Sequence, residues 1–210
     1  MRMSKASHVI EYYRLCNRLK DVIRAGWKDW NVQRDRIESV AEHIYSTQMV
    51  AISMYSEYHY DLDLKKVLYM LAIHELEEII IGDLTLFDIS KEEKLKKGHE
   101  AVRDVVKDLQ IKYELFNLIA EFDDRKSKEA QFAFQCDKLE CDLQSVLYDE
   151  QGCVDLQNQP NNIAMQDETV QALLNQGESF SSMWIQFSQN RYPYDANFLE
   201  VLNTIQKAQK

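Results

Sequence analysis

Two histidines and a set of carboxylates stand where a helical period would bury them, and buried acids and imidazoles are the raw material of metal and proton chemistry. His43 lies in SVAEHIYSTQMVA and His74 in LYMLAIHELEEIIIGD, both apolar at helical spacing. Glu75, Glu77 and Glu78 follow His74 within one turn. Carboxylates in an apolar helix are costly unless something cationic compensates them. Residues 74 and 78 share a face, whereas 74 and 75 diverge by about 100° and can still close around one ion. Asp137 interrupts the apolar face of AQFAFQCDKLECDLQS, and an acid there also calls for a cation. Each has a plainer reading: a hydrogen-bonded core histidine, a salt-bridged Glu75, and an Asp137 satisfied by adjacent Lys138. Glu77 is read onto a solvated stripe, and His99, in a charged segment, onto the surface.

The elements that must hold these residues read as helices. With 5 Gly and 2 Pro in 210 residues, the chain lacks the turn residues of strand-rich folds. Apolar periodicity places helices over 6–24, from Ser39 to Tyr58, over 64–81, 91–109, 111–122 and 127–149, with closing helices near 168–189 and 195–208. Ser39 and Glu42 have capping-box spacing. The 64–81 stretch is the most apolar and is expected to be the central, buried helix, stopped by Gly82. Residues 25–37 and 83–90 read as loops. The amide-rich 150–168 reads as a surface excursion from a single domain spanning 1–210. The expected fold is an all-α, single-domain helical bundle.

The net charge of −10 disfavours a nucleic-acid polymer as partner but leaves room for a small phosphorylated ligand met by a local cation. Cys16, Cys136, Cys141 and Cys153 form no C-x-x-C pair and read as reduced thiols of a cytoplasmic protein. No apolar run approaches the ~20 residues of a membrane span, and the N-terminus does not read as a signal peptide.

A lone His, a His–acid doublet and a later Asp, each on its own helix, resemble the H…HD…D signature of HD-domain phosphohydrolases. The likeness is closer to the YfbR-like 5′-deoxynucleotidase branch. HELEEIIIGD (74–83) resembles its H-D-x-x-E-x-x-x-G-D motif, ESVAEH (38–43) the approach to its first metal histidine, and RAGW (24–27) its substrate loop. EAQFAFQCDKLE (129–140) resembles the stretch around its last Asp, and WIQFSQNRYPYDANFLEVL the tail of related proteins. Two features depart from the pattern: the doublet is His74–Glu75, and extra residues separate Trp27 from His43.

The resemblance implies one divalent metal (Mn, Co, Fe, Ni or Zn) on His43, His74, Glu75 and Asp137. It implies Glu78 and Asp83 as catalytic residues, Arg24 on the phosphate and Trp27 on the sugar, with a loop residue capping the core as the plainer reading of Trp27. The implied reaction releases phosphate from deoxyribonucleoside 5′-monophosphates, in a homodimeric protein. Two alternatives stand beside it: an HD hydrolase of another nucleotide, triphosphate or signalling, and a weakly active nucleotide-binding protein in which the His–Glu doublet impairs turnover.

Overall fold

The computed structural model describes residues 4–208, which are all-α; no strand occurs among them, only an isolated bridge between Ile23 and Ser39. Helix α1 (Lys5–Asn17) runs into a short 3₁₀ turn at Arg18–Lys20, followed by α2 (Ala25–Asp29) and α3 (Val40–Tyr58). The expected 6–24 helix therefore ends early. Tertiary pairing claims its last turn: Val40 N–H donates to the Val22 carbonyl at 2.8 Å and Arg24 N–H to that of Glu38 at 3.0 Å. The capping box closes as expected, with the Ser39 side chain accepting from Glu42 N–H and the Glu42 carboxylate from Ser39 N–H.

The apolar 64–81 stretch is two helices, α4 (Leu64–Ile73) and α5 (Glu78–Ile81). Between them the backbone tightens: the amides of Leu76, Glu78, Ile79 and Ile80 each reach back three residues, not four. Such 3₁₀ bonding stacks side chains at i and i+3. Glu78 consequently lines up with Glu75, where an unbroken α-helix would align it with His74. Gly82 ends α5 at φ 73°, ψ 170°, a conformation open essentially to glycine alone.

Helices α6 (Lys91–Val106), α7 (Lys112–Asp124) and α8 (Lys128–Glu150) follow, then α9 (Glu168–Asn175), α10 (Phe180–Arg191) and α11 (Ala196–Ala208). The expected 168–189 helix divides at Gly177, whose φ is 82°. The central helix is α8, not 64–81. It packs on α3, α4, α7, α10 and α11, while Tyr69 and Ile80 of the apolar stretch are exposed. The polar groups of α8 disguise its burial, and they have partners: Gln135 accepts from Asp195 N–H at 2.6 Å and Asp142 from the Tyr194 hydroxyl at 2.7 Å. Residues 150–168 are not a loose excursion. Cys153, Asn162 and Ala164 are buried, Gln33 N–H donates to the Cys153 carbonyl at 2.7 Å, and the segment closes an aromatic core with Trp27, Trp30, Tyr148 and Phe180.

Candidate metal centre and its cavities

Helices α3, α4 and α8 pack pairwise on one another. At their common seam His43 comes from α3, His74 from the end of α4, Glu75 from the tightened turn and Asp137 from α8. One donor atom from each lies within 4.8 Å of all the others. His43 Nε2 is 3.1 Å from Asp137 Oδ1 and 3.7 Å from Glu75 Oε1, and His74 Nε2 is 3.5 Å from Glu75 Oε1. Glutamate in the doublet thus still reaches the shared point.

The other ring nitrogens say which way the imidazoles face. His74 Nδ1 is 2.8 Å from the Leu71 carbonyl, which can only accept, so Nδ1 carries a proton. Its Nε2 is then a bare lone pair, buried and without a hydrogen-bond partner. His43 Nδ1 lies 2.6 Å from the carboxylate of Glu140. A histidine oriented by a carboxylate or carbonyl at one nitrogen, with the other aimed at a cluster of acids, is the arrangement of a metal ligand. Two imidazole nitrogens and two carboxylate oxygens fit a first-row divalent ion.

The electrostatics agree. Burial pushes both carboxylic acids of the cluster up, yet His74, Arg24 and Lys94 hold Glu75 down to about 2, and Lys138 with His43 holds Asp137 well below the carboxylate range. Burial and Arg24 push His43 down, but Glu140 and its other neighbours win and raise it. Burial lowers His74.

The HD domain model matches residues 16–171, most of the chain. This chain belongs to the HD-domain family. The 5′-deoxynucleotidase HDDC2 of Dictyostelium discoideum is 31% identical over 153 residues, 69% of this chain and 80% of that protein. The Homo sapiens 5′-deoxynucleotidase HDDC2 is 32% identical over 161 residues, 75% of this chain and 74% of its own. A crystal structure from Pyrococcus horikoshii OT3 superposes with a TM-score of 0.65 at 24% identity, covering 94% of this chain and 98% of that one. A predicted metal-dependent phosphohydrolase from Magnetospirillum magnetotacticum MS-1 superposes with a TM-score of 0.62 at 18% identity, covering 97% and 98%. These two similarities speak to the HD fold.

Around the HD cluster, Arg24 caps the start of α2 with Nη1 3.2 Å from Asp83 Oδ2 and 3.7 Å from Glu75 Oε1. Asp83 also accepts from Ala25 N–H at 2.8 Å. Glu78 is buried, both its oxygens lack a hydrogen bond, and Lys94 Nζ stands 3.6 Å from Oε1. Burial, then Glu75 and Asp83, raise Glu78 well above the carboxylate range, as a group that must hold or take a proton requires.

Trp27 takes the core-capping position, the plainer of its two readings. It is 1% exposed, donates Nε1–H to Glu38 at 2.6 Å, and lies with its ring 4.7 Å from that of Trp184. Helix α2 turns it inward, so Gly26, Trp30 and Trp184 line the cavity and Trp27 supports Trp184 from behind. Glu77 is not on a solvated stripe either. It is half-buried against Gly98, with Oε2 buried and unpartnered. His99 is partly buried and hydrogen-bonded to Asp123 at 2.8 Å. Sequence reasoning missed Glu140, three residues after Asp137 and hence on the same face of α8. It also missed Lys94, which stands in the heavily charged α6 and reads there as a solvated cation, and Trp184, which lies beyond the family match.

A cavity of about 710 Å³ opens beside Glu75, Arg24 and Asp83. Six basic side chains line it against four acidic ones, reversing a chain that has 25 basic and 35 acidic residues. Trp30, Phe87, Trp184, Phe187 and Tyr192 form its apolar walls. Among the described residues no helix is long and apolar enough to cross a membrane.

Proposed function

We propose that this HD-domain protein is a metal-dependent phosphomonoester hydrolase that cleaves deoxyribonucleoside 5′-monophosphates to nucleoside and phosphate. The observation that carries the reading is the buried His43–His74–Glu75–Asp137 cluster opening on a cavity of inverted charge. The names of the HDDC2 relatives, 5′-deoxynucleotidases, supply the substrate class. One divalent ion would be held by those four residues and would supply neutralisation of phosphate charge and activation of water. Arg24, fixed by Asp83, presents its guanidinium to phosphate oxygens. Glu78, raised by burial, takes the proton of the attacking water, and Lys94 steadies the resulting charge balance. Asp83 stands where it can serve the leaving 5′-oxygen or the sugar. The aromatic walls receive the nucleoside, with Trp184 taking the contact expected of Trp27.

The whole chain, 1–210, acts as one domain in this reading, since α10 contributes cavity wall from outside the family match. Four free thiols suit a reducing compartment, the cytoplasm. Exposed Tyr45, Met49 and Ile52, at helical spacing on α3, offer an apolar stripe to the homodimer that the resemblance implies.

The test is phosphate release from a panel of deoxy- and ribonucleoside 5′-monophosphates with Mn, Co, Fe, Ni or Zn added. Orthophosphate released preferentially from the deoxy compounds is expected. Pyrophosphate or triphosphate released from triphosphates alone would replace this reading with the other-nucleotide alternative. Binding without turnover under every metal would favour the non-catalytic one.

A further inference from the structure

The cavity beside Glu75 has a smaller neighbour of about 200 Å³ that reaches His74 and Asp137 from the other side. Glu75, Lys91, Lys94, Arg125, Phe134 and Lys138 line both, so the seam between the cavities sets four cations against one carboxylate. Two of these cations lie on one ring: the Arg125 guanidinium carbon is 3.6 Å from the Phe134 centroid and Lys138 Nζ is 5.2 Å from it. Like charges gathered on one aromatic ring call for an anion. Lys138 has Asp137 at 2.8 Å and Lys94 has Glu78 at 3.6 Å. Arg125 forms no ion pair among the described residues, and its Nε is buried without a hydrogen-bond partner. Its backbone sits at φ 53° in the left-handed region, at a helix C-cap where glycine or asparagine is the comfortable residue. The fold thus accepts a conformational cost and puts at this seam a guanidinium with no close ion pair, Asp123 acting on it only from a distance. The acids facing the smaller cavity are Glu75 and Asp137 of the cluster, Glu77, and Asp123, which is bonded to His99.

We infer that Arg125, Lys138, Lys91 and Lys94 form a phosphate subsite separate from Arg24, on the seam between the two cavities. A phosphate dianion there would accept charge-assisted hydrogen bonds from the guanidinium and complete the charge balance that Arg125 lacks. Exposed Lys91 draws the anion in, and Lys138 and Lys94 connect it to the metal cluster and to Glu78. The subsite deepens the phosphomonoesterase reading, and the phosphate has two sources in it: the substrate's own 5′-phosphate, or orthophosphate leaving through the smaller cavity.

Calorimetric titration with inorganic phosphate tests this without turnover, on Mn-loaded protein and again after chelation of the metal. Saturable binding that survives chelation is expected. Arg125→Met should weaken it about tenfold or more, as loss of a charge-assisted hydrogen bond does, and Arg125→Lys should weaken it less. Melting temperatures check that the variants fold, and Lys91→Met, at an exposed position, gives a second variant with a smaller loss. Failure of the wild type to saturate, or unchanged affinity in both Arg125→Met and Lys91→Met, overturns the subsite. Deoxynucleoside monophosphate that displaces phosphate identifies the substrate's own phosphate as the occupant; simultaneous binding identifies the released one. A protein that binds phosphate but never releases it from nucleotides keeps the subsite and loses the hydrolase reading.

Discussion

His74 and Glu78 sit close in sequence and differ in role because of what each lacks. The Nε2 lone pair of His74 has no partner but the acid cluster, so His74→Ala should lose the metal and turnover together. Glu78 is a buried acid beside the cluster and contributes no atom to it. Glu78→Ala should therefore keep the metal and lower turnover ~10²–10⁴-fold, the usual contribution of a proton-transfer group. Elemental analysis beside a rate measurement separates the two, and metal loss in Glu78→Ala would refute the division of labour. Glu140 belongs to the same scale. It fixes the tautomer of His43 from outside the cluster, so Glu140→Gln should weaken metal affinity ~10–100-fold, read by competition with a chelator. The sequence displayed Glu140 three residues from Asp137, but only the approach of α3 to α8 shows that it faces His43.

At the scale of elements, the tightened turn between α4 and α5 sets the chemistry. An unbroken helix would put Glu78 under His74; the turn instead stacks Glu78 with Glu75, and Gly82 then delivers Asp83 to Ala25 and Arg24. Gly82→Ala should cost about 1–3 kcal/mol, because its φ and ψ suit glycine almost alone. It should also raise KM, because Asp83 would no longer hold Arg24. Denaturant unfolding and steady-state kinetics check both, and a variant with unchanged stability would show that the turn relaxes easily. Apolar periodicity could not reveal this turn, because the residues are equally apolar whether the backbone reaches back three residues or four.

Over the whole molecule, burial governs the response to pH. Asp142 is fully buried, and burial pushes its carboxyl from 3.8 up to about 8, against the pull of the Tyr194 hydroxyl. Between those values the folded state holds a proton that the unfolded state has released, so stability falls as pH rises through the window. Asp142→Asn removes that penalty. Its melting temperature should match the wild type near pH 4 and exceed it by several degrees at pH 8; a gap that stays constant with pH would contradict the assignment. Light scattering should give twice the chain mass if the exposed α3 stripe pairs two copies, and a monomer at micromolar concentration would remove the homodimer.

The sequence by itself determined the all-α class, the capping of α3, and the four residues His43, His74, Glu75 and Asp137, because each signal is local: scarce turn residues, helical period, and polar groups misplaced on apolar faces. What the tertiary structure decided is non-local. It made α8 the central helix, since the cost of burying Gln135, Asp137, Glu140 and Asp142 is met by His43 of α3 and by Tyr194 and Asp195 of the loop before α11. It turned Trp27 into the core and Trp184 into the cavity, and drew Glu77 out of solvent against Gly98. It also brought Lys91, Lys94, Arg125 and Lys138 to one seam from two helices and a cap. A side chain's charge is written in the sequence, but the charges it faces are set by which helices pack together.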